Sequence, residues 1–281
     1  MSWFVKTFDF LLFSSIFIAI CAVLMCYQTF ILFDHHADAA ILAFVFFATI
    51  CSYNFHWYLT PSIYGLSRKI EWSFEHKKLH FLLFITGLIG SIYFGLVFIH
   101  HWKWLLGTAL ITFLYSAPKI PHPALRWLRN IALAKTIFLA LVWTHVTVVL
   151  PIALSGLPID EGERIFAINR FFLIYPICIL FDYRDRKEDI KEGIRSMITD
   201  FSDRGIDILF WGSLFVFSGT QIILWLFYFN LPETIILLIP ALILAFIYGS
   251  SKSNGSDYRF YLVLDGLMAL SALILLLFHF I

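Results

Sequence analysis

The run Phe181-Asp-Tyr-Arg-Asp-Arg-Lys-Glu-Asp189, followed by Ile190-Lys-Glu-Gly-Ile-Arg-Ser196, brings Asp182, Asp185 and Asp189 out of an apolar segment at spacings of three and four. On a helix those spacings put the three carboxylates on one stripe, with neighbouring side-chain bases about 5–6 Å apart. Like charges that close repel unless something positive lies between them, and a divalent cation holding a phosphorylated ligand would supply that charge. The plainer alternative is a solvated, salt-bridged helix at a membrane boundary. Arg184 and Glu188 have the spacing for it, whereas Lys187 and Lys191 repel.

The elements that position this run are apolar. Of 281 residues, 60% are hydrophobic and 14% charged, against about 25% charged in soluble domains, so the chain reads as a polytopic membrane protein. Nine stretches approach the ~20 residues that cross a bilayer: 9–33, 38–60, 80–99, 102–117, 130–155, 164–181, 206–228, 232–250 and 257–281. The expected fold is all-α, one transmembrane domain over residues 1–281, with nine helices around a central cavity. The first apolar run lacks a small-residue cleavage site and reads as a retained helix. Cys21, Cys26, Cys51 and Cys178 all lie in apolar segments and read as packing residues.

Loop charges orient the bundle. Lys6, the loop at 61–79 (Arg68, Lys69, Lys77, Lys78), that at 118–129 (Lys119, Arg126, Arg129), that at 182–205 (Arg184, Arg186, Lys187, Lys191, Arg195, Arg204) and that at 251–259 (Lys252, Arg259) fall on one side. The other side has Lys103, Arg164 and Arg170. Positive loops stay inside, which implies a cytoplasmic N-terminus and an external C-terminus; the expected setting is a bacterial inner membrane. The two long loops, 61–79 and 182–205, form a cytoplasmic cap.

At Asp185-x-x-x-Asp189-x-x-x-Gly193-Ile-Arg-Ser196 the chain resembles the second aspartate motif of the UbiA superfamily of membrane prenyltransferases. Leu114-Tyr-Ser-Ala-Pro-Lys119 resembles that family's Tyr-Ser-x-x-Pro segment, and nine spans with an inside N-terminus also fit. The resemblance implies transfer of an isoprenyl group from a prenyl diphosphate to a hydrophobic, lipid-soluble acceptor, with Mg²⁺. It makes Asp185 and Asp189 catalytic metal ligands, with Asp182 beside them. Asn54, Arg68, Lys119, Lys191 and Arg195 would hold the diphosphate, and Tyr58 and Tyr115 would line the substrate site.

The chain departs from the family at its first motif, Asn-x-x-x-Asp. The matching stretch is Tyr53-Asn54-Phe55-His56-Trp57-Tyr58, so Tyr58 stands where the family has aspartate. Glu71 and Glu75 are the nearest acidic substitutes; one metal assisted by Arg68 and Lys69 is another solution. A non-catalytic isoprenoid-binding protein on the same fold is the alternative function. Plainer roles are open for single residues too. Asn54 can bond between helices, Lys135 can snorkel to the interface, and Tyr58 and Tyr115 can sit in an interface belt. His145, in mid-span, is a candidate for the cavity lining. His35-His36 and His100-His101 are adjacent pairs and make poor chelators. Pro151 and Pro240 are expected to kink their helices, or in the first case to mark an end.

Overall fold

The computed structural model describes residues 3–60, 67–116, 135–191 and 196–279, and every regular element among them is helical. We number them α1 (Trp3–Phe13), α2 (Ile16–Leu32), α3 (Ala39–Leu59), α4 (Arg68–Glu75), α5 (Lys77–Val97), α6 (Trp102–Ser116), α7 (Lys135–Leu154), α8 (Glu161–Lys191), α9 (Met197–Asp200), α10 (Asp203–Phe227), α11 (Leu231–Ser253) and α12 (Arg259–Phe278). Seven of these, α3, α5, α7, α8, α10, α11 and α12, are long and apolar enough to cross a membrane, and α1 with α2 makes an eighth if that bent pair is one span. The all-helical membrane architecture is therefore as expected, while the span count among the described residues is seven or eight. The difference from nine lies in the bent α1/α2 pair and in α6, which is described for only 15 residues.

Other expectations are corrected locally. The first span is two helices meeting at 57°, with Ser15 in the left-handed region at φ 69°. A break leaves backbone carbonyls without helical partners. Here the Phe13 carbonyl accepts from Lys69 Nζ (3.2 Å) and the Ser14 carbonyl from Asn54 Nδ2 (3.1 Å). The stretch at 182–191, placed in the connection after the sixth span and read with a helical charge pattern, is helical and continues α8 without interruption. Residues 68–75 form the amphipathic helix α4, started by the Ser67 hydroxyl, which accepts from the Ile70 amide.

Packing explains the bundle. A Cβ on Gly87 of α5 would lie 2.5 Å from the Cys51 amide nitrogen, so this glycine is what lets α5 approach α3. Pro151 does not end its helix. A π-helical turn, His145–Val149, precedes it, and Thr29 Oγ1 donates at 2.7 Å to the Thr147 carbonyl, the acceptor that a non-proline at 151 would have served. Pro240 lies inside a continuous α11. Arg170 is buried among α2, α8 and α12, donating to Gln28 Oε1 (2.7 Å) while Gln28 Nε2 donates to Ser271 Oγ (3.0 Å). Cys21, Cys26 and Cys178 are buried free thiols, as the packing reading requires, and Cys51 is free and half-buried.

Candidate functional site

The acidic stripe stands at the end of the bundle where α4 and the helical extension of α8 meet. Thr136 Oγ1 donates to Asp182 Oδ2 at 2.5 Å, and Lys135 Nζ lies 3.1 Å from Asp182 Oδ1 and 3.7 Å from Asp189 Oδ2. Both carboxylates are buried, at 7% and 8% exposure. The positive charge that their spacing demands is thus supplied by the first described residue of α7. The snorkelling reading of Lys135 gives way to a bridging one, since two carboxylates hold it.

Asp185 turns the other way. It takes Arg184 Nε at 2.8 Å, and its side chain is 45% exposed. Arg184 donates to Tyr261 Oη (3.1 Å), stands 3.6 Å from Asp257 Oδ1 and covers the Phe260 ring at 4.5 Å. The Lys69 amide donates to Asp257 Oδ2 (3.0 Å), which joins α4 to this network. On the rim of α4, Arg68 donates to buried Asp9 (2.5 Å), which also accepts from Tyr258 Oη (2.6 Å).

Lys69 is the most unusual cation of the group. It is 2% exposed, and its Nζ lies 4.5 Å from the Trp57 ring centroid, 4.7 Å from Tyr261 and 5.5 Å from Phe13. No described carboxylate is within ion-pair distance of it. Burial pushes its ammonium down to about 7, with Asp265 and Asp257 pulling against that and Arg184 adding to it.

The remaining expected site residues fall into three groups. Tyr115 belongs to the site's surroundings: its ring stacks on His56 at 5.2 Å, and the neighbouring Ser116 Oγ is 3.5 Å from His56 Nδ1. Asn54 is fully buried and fastened to structure, donating to the Ser14 and Ile50 carbonyls while its Oδ1 is 2.7 Å from His80 Nδ1. The helix-to-helix bond open to it in the sequence is present. Tyr58 is 39% exposed, with its ring 5.5 Å from Phe81 on the outer face of α3 and α5. Glu71 and Glu75 lie on the exposed side of α4, opposite buried Lys69 and Ser73. Lys119, Arg195 and the Lys191 side chain lie outside the described residues.

Among the described residues no group of three His, Cys, Asp or Glu side chains is arranged to hold a metal ion. His145 has a polar partner, Thr108 Oγ1 at 2.9 Å from its Nε2, and His35 Nε2 meets Glu163 Oε1 at 2.5 Å at the far end of the bundle. Two shallow cavities, of about 320 and 370 Å³, lie between α10 and α11 and beside His101 and Arg164; neither touches the acidic stripe. The residues least visible in the sequence were Thr136, Asp257 and Tyr261. The one signal for any of them was a carboxylate, Asp257, five residues past Lys252 at the foot of an apolar run. In comparison with known proteins, no family model, no curated protein and no solved structure matches the chain significantly.

Proposed function

We propose that the chain is a UbiA-like intramembrane prenyltransferase, moving an isoprenyl group from a prenyl diphosphate to a lipid-soluble acceptor. The observation that carries this reading is the meeting, at one end of an apolar bundle, of a carboxylate stripe, three interior cations and a set of aromatic faces. Asp182, Asp185 and Asp189 alternate with Lys135 and Arg184, and Lys69 follows behind Tyr261. A prenyl diphosphate has the matching two halves, a polyanion for the charged end and an apolar chain for the bundle. The full reading has nine spans, with α6 as the fourth, the N-terminus and cap in the cytoplasm, the C-terminus outside, and a bacterial inner membrane as the setting.

The donor set suits Mg²⁺ in kind, because it consists of carboxylate oxygens of which Asp185 is the most accessible. Asp185 and Asp189 would hold it, with Asp182 in support, once Asp185 turns from Arg184 and Asp189 from Lys135. When bound it supplies charge to the diphosphate leaving group. The chain's own residues do the rest. Lys135 keeps Asp182 and Asp189 from repelling each other. Arg184, fixed by Tyr261, presents a guanidinium beside Asp185 to bind phosphate oxygens. Phe13, Trp57 and Tyr261 face the Lys69 ammonium and Phe181, Phe260 and Tyr261 the Arg184 guanidinium, an aromatic wall that stabilises cations and keeps water out.

A second reading, a non-catalytic isoprenoid-binding protein, is favoured by the outward placement of Tyr58 where the resembled family has a carboxylate. One experiment separates them: binding of a prenyl diphosphate to the purified protein with and without Mg²⁺, in the wild type and in Asp185→Asn/Asp189→Asn. Metal-dependent binding lost in the double variant supports the transferase. Binding indifferent to metal and mutation supports the second reading, and no binding refutes both.

A further inference from the structure

We propose that the cavity beside His101 and Arg164 binds the headgroup of a zwitterionic membrane phospholipid, with the phosphate on Arg164 and the ammonium on Glu161. This site lies at the end of the bundle opposite the acidic stripe and needs nothing from the transferase reading. The cavity, of about 370 Å³, opens where the start of α6 meets the turn between α7 and α8. His101 and Trp104 form one wall, and the turn from Gly156 to Ile159 forms another with Arg164 of α8. Gly156, at φ 72°, turns the chain beside the His101 ring. Arg164 spends one N–H on the Ile159 carbonyl (Nη2 to O, 3.1 Å), which ties the guanidinium to the turn.

The fold leaves the donors of this site unused. Among the described residues no carboxylate lies within ion-pair distance of Arg164. Its acidic neighbours Asp160 and Glu163 accept from each other's amides, and Glu163 also meets His35. The His101 ring nitrogens and the amides of Leu157 and Ile159 likewise have no hydrogen-bond partner among the described residues. A phosphodiester suits such a set, because a guanidinium grips its oxygens in a fork and neutral N–H groups add to that. The rest of the wall is apolar, with Trp104, Leu157, Pro158 and Ile159. Trp102, Trp104, Trp225 and Tyr228, all at least 40% exposed, stand at this end of the bundle, where such aromatic side chains mark the level of lipid headgroups. The phosphate available at that depth is a lipid's. Glu161 is exposed, has no partner among the described residues and sits one helical turn from Arg164. It matches the ammonium of phosphatidylethanolamine, whereas phosphatidylglycerol leaves it without a counter-charge.

The test is native mass spectrometry of the full chain in detergent, titrated with phosphatidylethanolamine, phosphatidylglycerol or soluble glycerophosphoethanolamine. The wild type should prefer phosphatidylethanolamine to phosphatidylglycerol by about threefold or more, and Glu161→Gln should remove that preference. Arg164→Gln should weaken phosphatidylethanolamine binding roughly tenfold or more. Lys103→Gln, which removes an exposed cation at the same end but outside the cavity, should change it less than about twofold. All three replaced side chains are exposed, so the variants should keep the helical circular dichroism of the wild type. Wild-type affinity in Arg164→Gln overturns the site, and so do equal losses in Arg164→Gln and Lys103→Gln, the mark of diffuse attraction alone. Equal binding of the two lipids overturns the zwitterionic headgroup. Glycerophosphoethanolamine that binds as tightly as the lipid overturns a lipid as the ligand.

Discussion

Lys135 and Lys69 stand at the same end of the bundle, and their surroundings are opposites. Lys135 sits between two carboxylates and a threonine hydroxyl; Lys69 has a carbonyl and three aromatic rings. The first is a fixed positive charge that lets Asp182 and Asp189 share one helix stripe. The second is a lysine whose burial outweighs the ring faces and the more distant carboxylates that favour its charged form. The same side chain thus serves as a structural counter-ion in one place and a titrating amine in the other, and the deciding variable is whether an anion is within reach.

The comparison can be broken at several points. The largest effect is expected for Asp182→Ala, which leaves Lys135 and Thr136 facing a lost partner. Stability in detergent should fall by about 3 kcal/mol, the low end for a buried pair because Lys135 keeps 30% exposure. An unchanged denaturation midpoint would show that Lys135 is not held there. Asn54→Ala should cost about 2 kcal/mol by stranding the Ser14 carbonyl and the His80 ring nitrogen. If its loss is under a few tenths, the break between α1 and α2 is not fastened from α3.

Lys69 sharpens the contrast through pH. Its folded value of about 7 lies below the ordinary 10.5, so between those limits the unfolded chain binds more protons. Stability should therefore rise with pH across that window and rise less in Lys69→Met; parallel curves for the two proteins would place Lys69 in the same class as Lys135. The smallest stability effect is expected for Asp185→Asn, below about 1 kcal/mol, because that carboxylate is 45% exposed and among the described residues pairs with its neighbour Arg184. The same variant should weaken Mg²⁺-dependent prenyl diphosphate binding at least tenfold, roughly the 1.4 kcal/mol that one order of affinity represents. A stability loss as large as that of Asp182→Ala would mean that the stripe is a single structural cluster.

Hydropathy made the helical membrane class legible, since runs such as 38–60 and 232–250 correspond closely to α3 and α11. It did not reveal the break at Ser14–Ser15, because serines in an apolar run read as tolerated until a left-handed residue is seen. The spacing of Asp182, Asp185 and Asp189 correctly implied a nearby positive charge. It did not say that this charge, Lys135, stands 47 positions before Asp182 in the chain, since pairings between helices leave no periodicity. Asn54 was identified with its interhelical role among the open readings. Tyr58 was assigned to the site by its place in a motif, and the structure turns it toward Phe81 instead.

The bend between α1 and α2 has a consequence for biosynthesis. Its two buried carbonyls without helical partners accept from side chains of residues 54 and 69, which leave the ribosome after the first span. Until then the N-terminal segment has no partner for its broken geometry, and a straight helix satisfies its backbone better in lipid. The bend is fastened by residues 54 and 69, whereas the rest of the charged end needs Lys135, Asp182, Arg184 and Tyr261, which follow much later in the chain.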